Sequence, residues 1–139
     1  MNLHIKDAFK YQDDRGDLVV FLQSKDLPKS KRSFGQIYFV TFKGKNVVRG
    51  NHYHKDWYEW FGIIDGVLEV TLEEVKTKKR KQFIINGCDN KYRRIYVAPN
   101  TAHTFRSLSN YASLLNYSDK EWNPEDVFNY DLISKNNEV

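Results

Sequence analysis

Short runs rich in β-branched and aromatic residues recur along this chain, each closed by turn residues, and no long amphipathic helix interrupts them. Asp17 to Gln23 (DLVVFLQ) and Gln36 to Phe42 (QIYFVTF) are the first two. Gly44-Lys45-Asn46 reads as a turn before Val47-Val48-Arg49, and Asp65-Gly66 carries a hairpin-turn signal. Val67 to Glu73 then alternates, with Leu68, Val70 and Leu72 on one face. Gln82 to Ile85, Arg94 to Ala98 and Ala112 to Tyr117 continue the series, punctuated by Asn86-Gly87 and Pro99. Strands this short and this closely spaced predict an all-β sandwich or barrel. The stretch from Lys120 to Ile133 suits either a short helix or an edge segment.

At 139 residues the chain fits one domain over 1–139, long enough to bury a core without disulfide or metal staples. Its 40% hydrophobic and 15% aromatic content exclude a disordered polymer. The single cysteine, Cys88, has no internal disulfide partner, no run approaches a membrane span, and Met1 to Lys10 lack the apolar block of a signal peptide. A soluble cytoplasmic protein is therefore expected. Part of the formal charge of +4 comes from Lys76-Thr77-Lys78-Lys79-Arg80-Lys81. With no aromatic-basic array beside it, that run reads as a solvated hairpin tip rather than a nucleic-acid patch. A mildly basic chain of this kind suits an anionic small molecule.

Three of the four histidines fall into two short motifs. His52 and His54 are two apart on a strand, so they share a face. Glu59 follows, read here as the return strand of the same hairpin, and His103 comes from a later strand beyond the Pro99 turn. A sheet curled to bring these strands together makes the four side chains converge. Three imidazoles and a carboxylate can bind zinc, iron, manganese or nickel. The same imidazoles without metal can move protons near neutral pH. A pair of strand histidines merely exposed or hydrogen-bonded to neighbours is the bland alternative.

The stretch Arg49 to Gly66 (RGNHYHKDWYEWFGIIDG) resembles the first cupin motif, and Pro99-Asn100-Thr101-Ala102-His103 resembles the second. That resemblance implies a small jelly-roll β-barrel with a short C-terminal segment. Asp13 to Val19, Ile37-Tyr38-Phe39, Arg49-Gly50-x-His52-x-His54-Lys55 and Tyr96-Val97-x-Pro99 with His103 look more narrowly like the nucleotide-sugar 3,4-ketoisomerases. Ser118-Asp119, Glu125-Asp126 and Asn129-Tyr130-Asp131 are similar to that family's tail.

The resemblance implies conversion of dTDP-4-keto-6-deoxyglucose to a 3-keto isomer, for deoxyamino sugars of surface polysaccharides such as O-antigen, with no cofactor. It implies His52 as the carbon base, His54 as a shuttle between oxygens and Tyr38 as the group facing the keto oxygen. Arg15 and Arg49 would hold the diphosphate, with His103 also on the substrate. Trp57, Tyr58, Trp60 and Phe105 either stack on thymine or pack in the core. A homodimer is implied as well, with neither nucleic acid nor membrane as partner. Two alternatives stay open: a sugar-nucleotide 3- or 3,5-epimerase, and a metal-dependent cupin enzyme using His52, His54, Glu59 and His103. The Asn51-His52-x-His54 run with Glu59 also resembles the zinc-holding cupin domain of capsule-synthesis reductases.

Overall fold

The computed structural model describes residues 3–14 and 16–133. Among them the chain forms β1 (Leu3–Ala8), β2 (Lys10–Asp13), β3 (Gly16–Val19), β4 (Gln36–Lys43), β5 (Val48–Tyr53) and β6 (Glu59–Asp65). It continues with β7 (Val67–Glu74), β8 (Arg80–Asn86), β9 (Tyr92–Val97), β10 (Thr101–Ser107), β11 (Tyr111–Ser118) and β12 (Phe128–Asn129). One sheet runs β1-β9-β6-β11-β4 and the other β12-β5-β10-β7-β8, while β2 and β3 pair only with each other. The expected all-β jelly-roll architecture is present, as two facing sheets that hydrogen bonds do not close into a barrel.

Alternation builds the core. Leu68, Val70 and Leu72 of β7 meet Phe61 and Ile63 of β6, Ile95 and Val97 of β9, and Leu114 of β11, all buried. Trp60 and Tyr117 point the other way. With Leu27 they form a smaller cluster on the outer face of the first sheet, packed by Phe21, Leu22, Tyr58 and Tyr96. Lys76 to Lys79 sit in the turn between β7 and β8, the solvated tip that the charge run predicts. The tail, open by sequence to either a short helix or an edge segment, has a single 3-10 turn at Pro124–Asp126 and the two-residue edge strand β12.

Two turn readings need correction. Asp65-Gly66 does not close a hairpin: β6 belongs to the first sheet and β7 to the second, so this corner carries the chain across the sandwich. The same holds for β5 and β6, so Glu59 lies on the sheet opposite His52 rather than on its hairpin partner. Turn residues report only that the chain reverses; which strand each segment pairs with is settled by the packing of two sheets.

The decisive local irregularity lies in β5. Register runs from His103 opposite His52 to Thr104 opposite Gly50, leaving Asn51 as the extra residue of a bulge. Gly50 (φ 106°) and Asn51 (φ 58°) both occupy positive φ, where glycine and asparagine cost least. A Cβ on Gly50 would stand 2.5 Å from the His103 carbonyl oxygen. The bulge also frees the fully buried Asn51 amide to hold the tail. Its Oδ1 accepts from Thr104 Oγ1 (2.6 Å), Leu132 N (3.0 Å) and Ile133 N (3.2 Å), and its Nδ2 donates to the Ile133 carbonyl (2.9 Å). Replacing Asn51 by Ala orphans two backbone N–H groups and a carbonyl near the core. It should cost about 2–4 kcal/mol in urea unfolding and remove hydrogen-exchange protection from Leu132 and Ile133. Retained protection there would show that the tail is held by other contacts.

Candidate active site

Because β4 is the edge of the first sheet and β5 carries only β12 beyond it, the sandwich opens between β4 and β5. A cavity of about 420 Å³ lies behind that slit. Tyr38 and Gln36 of β4, Arg49 and His52 of β5, and His103 of β10 face it, over an apolar floor that includes Phe61, Phe105 and Leu114. Arg49 and His52 are three residues apart, so strict alternation would put them on opposite faces. The Asn51 bulge brings both to the cavity.

The imidazoles cluster tightly. Ring centroids lie 5.0 Å apart for His52 and His54, 4.8 Å for His52 and His103, and 5.4 Å for His54 and His103. His52 is half-buried at the cavity wall, whereas His54 is buried behind it against the Trp57 ring at 3.9 Å. Glu59 Oε2 reaches His103 Nε2 at 3.2 Å and His54 Nε2 at 3.4 Å. Its Oε1 accepts from Asn116 Nδ2 at 3.2 Å.

Backbone carbonyls decide the tautomers. His54 Nδ1 faces the Asp126 carbonyl at 2.8 Å, and His103 Nδ1 faces that of Thr101 at 3.1 Å. A carbonyl only accepts, so both rings carry hydrogen on Nδ1. When neutral, each then aims an Nε2 lone pair at a carboxylate oxygen that also has only lone pairs to offer. Three acceptor atoms converging in a buried site call for a shared proton or a cation among them.

The charges respond accordingly. Burial alone would raise the Glu59 carboxyl, but the imidazoles of His103, His54 and His52 outweigh it and hold it below the usual carboxylate range. Burial pushes His103 below the ordinary histidine range, with Glu59 pulling against it. Burial, reinforced by the Glu59 charge, pushes the Tyr38 phenol well up, so it remains a hydrogen-bond donor near neutral pH.

The three histidines form the group that could hold a metal, with the Glu59 carboxylate beside two of them. The ligand atoms of His52, His54 and His103 lie within 4.8 Å of one another, against about 3.4 Å between neighbouring donors on a tetrahedral ion. Nδ1–H groups bonded to carbonyls are the usual outer support of metal-binding histidines. The donor chemistry fits a divalent cation, with a modest closing of the cluster.

A family model described as WxcM-like, C-terminal (FdtA) matches residues 1–136. The chain belongs to this family. No curated protein sequence matches it significantly. Among solved structures, this WxcM-like chain resembles a 3,4-ketoisomerase from Helicobacter canadensis, with TM-score 0.76 and 23% identity over 92% of this chain and 90% of that one. The sugar 3,4-ketoisomerase QdtA from Thermoanaerobacterium thermosaccharolyticum, solved with TDP, gives 0.75 and 19% over 91% and 87%. The epimerase RmlC from Legionella pneumophila, solved with dTDP-4-keto-L-rhamnose, gives 0.79 and 21% over 94% and 73%. These likenesses establish the fold.

Of the residues singled out from the sequence, the fold of this WxcM-like protein brings together His52, His54, His103, Glu59, Tyr38 and Arg49. Arg15 lies outside the described residues. Trp60 and Tyr58 are on the far side of the first sheet, Trp57 is buried under His54, and only Phe105 lines the cavity. Core packing therefore accounts for most of these aromatics.

Sequence reading missed Asn116, a buried amide between Leu115 and Tyr117 of β11, which fixes Glu59. It also missed the work of Asp126. The Asp126 carboxylate accepts from Lys55 N (2.8 Å) and Asp56 N (3.0 Å) while its carbonyl orients His54. The tail motif containing Asp126 was its only signal. Among the described residues no helix is long and apolar enough to cross a membrane.

A histidine held below its unfolded value of 6.5 binds more protons when unfolded. The stability it contributes is full above that value and lost as pH falls through it toward the folded one. Unfolding free energy should therefore decline below about pH 6.5, by at most about 1.4 kcal/mol per pH unit for this one group, and Tm in thermal melts should fall with it. His103→Gln should flatten that decline. A wild-type Tm unchanged down to pH 5.5 would contradict a neutral, buried His103.

Proposed function

We propose that the protein is a dTDP-4-keto-6-deoxyglucose 3,4-ketoisomerase working by acid–base proton transfer, in the making of deoxyamino sugars for surface polysaccharide. The observation that carries this reading is the meeting of His52 and Tyr38 across one cavity, with the exposed Arg49 at its rim. Family membership and the ketoisomerase folds above support it.

In this mechanism His52, the imidazole of the pair that lines the cavity, takes the proton from C3. The electron pair forms the C3–C4 double bond of an enediol as O4 gains a proton, and Tyr38 donates a hydrogen bond to that oxygen. The O3 proton is then released, the carbonyl forms at C3, and C4 receives a proton. His54, Glu59 and His103 hold the proton inventory behind His52. Arg49 donates through Nε to the Thr41 carbonyl at 3.0 Å, which leaves its terminal nitrogens for the diphosphate. In this reading Arg15 is a second arginine for the diphosphate.

Chelator-treated protein given the 4-keto sugar nucleotide in D₂O should yield the 3-keto isomer by NMR. His52→Asn should lower kcat by about 10²–10⁴-fold, and Tyr38→Phe by about 10²–10³-fold, with dTDP affinity retained. Inversion at C3 or C5 without keto transfer would replace this reading by an epimerase. A second reading has its own support in the converging lone pairs of Glu59, His54 and His103: a metal-dependent enzyme in which these residues and His52 hold a divalent ion, which would polarise a substrate oxygen. Activity lost to chelator and restored by one equivalent of metal would favour it.

The reading includes a homodimer. Ile37 and Phe39 stand 60% and 67% exposed on the outer face of edge strand β4, and the β2–β3 hairpin exposes Tyr11 and Leu18. Two such surfaces on a chain this size suit mutual burial against a second copy. Sedimentation at micromolar concentration should give twice the 16.5 kDa chain mass, and Phe39→Glu should shift it toward monomer. A wild-type monomer would overturn the dimer.

A further inference from the structure

Asp126 grips His54 from two sides. Its carbonyl faces His54 Nδ1 at 2.8 Å. Its carboxylate accepts from Lys55 N at 2.8 Å and Asp56 N at 3.0 Å, the two N–H groups that follow His54 in the chain. Asp126 is only 9% exposed, so water competes little for these bonds. The 3-10 turn that carries it is itself held, since Asn123 Oδ1 accepts from Glu125 N at 3.1 Å and the Asn123 carbonyl from Asp126 N at 3.0 Å.

A neutral His54 ring has two places for its hydrogen. On Nε2 it would meet the charged Glu59 Oε2, but from 3.4 Å, beyond the usual N–H···O range. On Nδ1 it meets an uncharged carbonyl from 2.8 Å. Charge favours the first placement and distance the second, so the outcome turns on how firmly the Asp126 carbonyl is held. Trp57 packs on the ring at 3.9 Å and restricts its movement, yet an indole face does not choose between the two nitrogens.

We infer that Asp126 is a positioning residue: its carboxylate pins the turn after β5, so that its own carbonyl keeps hydrogen on His54 Nδ1 and leaves the Nε2 lone pair toward Glu59. The lock is the same whether that lone pair receives a proton from a substrate oxygen or binds a metal ion. Only its effect on turnover rests on the ketoisomerase reading above.

Two-bond proton–nitrogen-15 NMR of labelled, chelator-treated protein reads the tautomer directly, with His54 assigned by the signals lost in His54→Gln. At about pH 8, above the ordinary histidine range, wild type should carry hydrogen on Nδ1 and none on Nε2. Asp126→Ala should move hydrogen toward Nε2 and lower kcat for 3,4-isomerisation by about 10–10²-fold, with KM and dTDP affinity unchanged. Asp126→Asn keeps one oxygen for the two N–H groups. It should shift tautomer and kcat the same way by less, and it carries the test if the alanine variant does not fold. A wild-type His54 with hydrogen on Nε2 would overturn the lock. So would variants with a lowered Tm but wild-type ring nitrogens, which is the mark of a purely structural role, or a changed tautomer with kcat intact. A wild type that isomerises nothing would overturn the ketoisomerase reading, and the spectra alone would then decide the lock.

Discussion

Strict alternation along β5 would place Arg49 and His52 on opposite faces of the sheet, and the candidate site depends on its being broken. The Asn51 bulge does this at Gly50-Asn51, where two residues tolerant of positive φ follow one another. The same distortion points the Asn51 amide at the tail, which it clamps through backbone groups of Leu132 and Ile133. The tail in turn brings Asp126, whose carbonyl sets the His54 tautomer. One extra residue in a strand thus links the direction of the cationic rim, the placement of the base and the protonation geometry behind it.

Glu59 plays the corresponding part on the opposite sheet. A carboxylate this buried is costly unless charge or hydrogen bonds answer it, and here Asn116 takes one oxygen while two imidazoles face the other. The cluster is therefore suited to hold a cation. Proton and metal ion are both chemically suited to it, which is why the carboxylate keeps the two readings of the site distinct yet adjacent.

Most strands were legible because period-two alternation and turn residues are local properties. Gln36 to Phe42, Val67 to Glu73 and Ala112 to Tyr117 each became a strand with nearly those bounds. The His52–His54 pairing was legible for the same reason, since residues two apart share a face. What misled was connectivity. Asp65-Gly66 and the link from His54 to Glu59 look like hairpin turns, yet both cross between sheets. Trp57 and Trp60 also looked like candidates for a ligand wall, yet both are buried in packing, because exposure is settled by tertiary contacts.

The sequence by itself determined the all-β character, the clustering of histidines into two motifs and the tolerance of Gly50 and Asn51 for a bulge. Each of these follows from backbone preference or from spacing along one segment. Only the tertiary structure decided that Glu59 faces His54 and His103 from the opposite sheet, that His52 and not His54 borders the cavity, and that Tyr38 and Arg49 share that cavity with it. Those relations join residues far apart in the chain. They are set by how two sheets pack and where they fail to close, which no local pattern encodes.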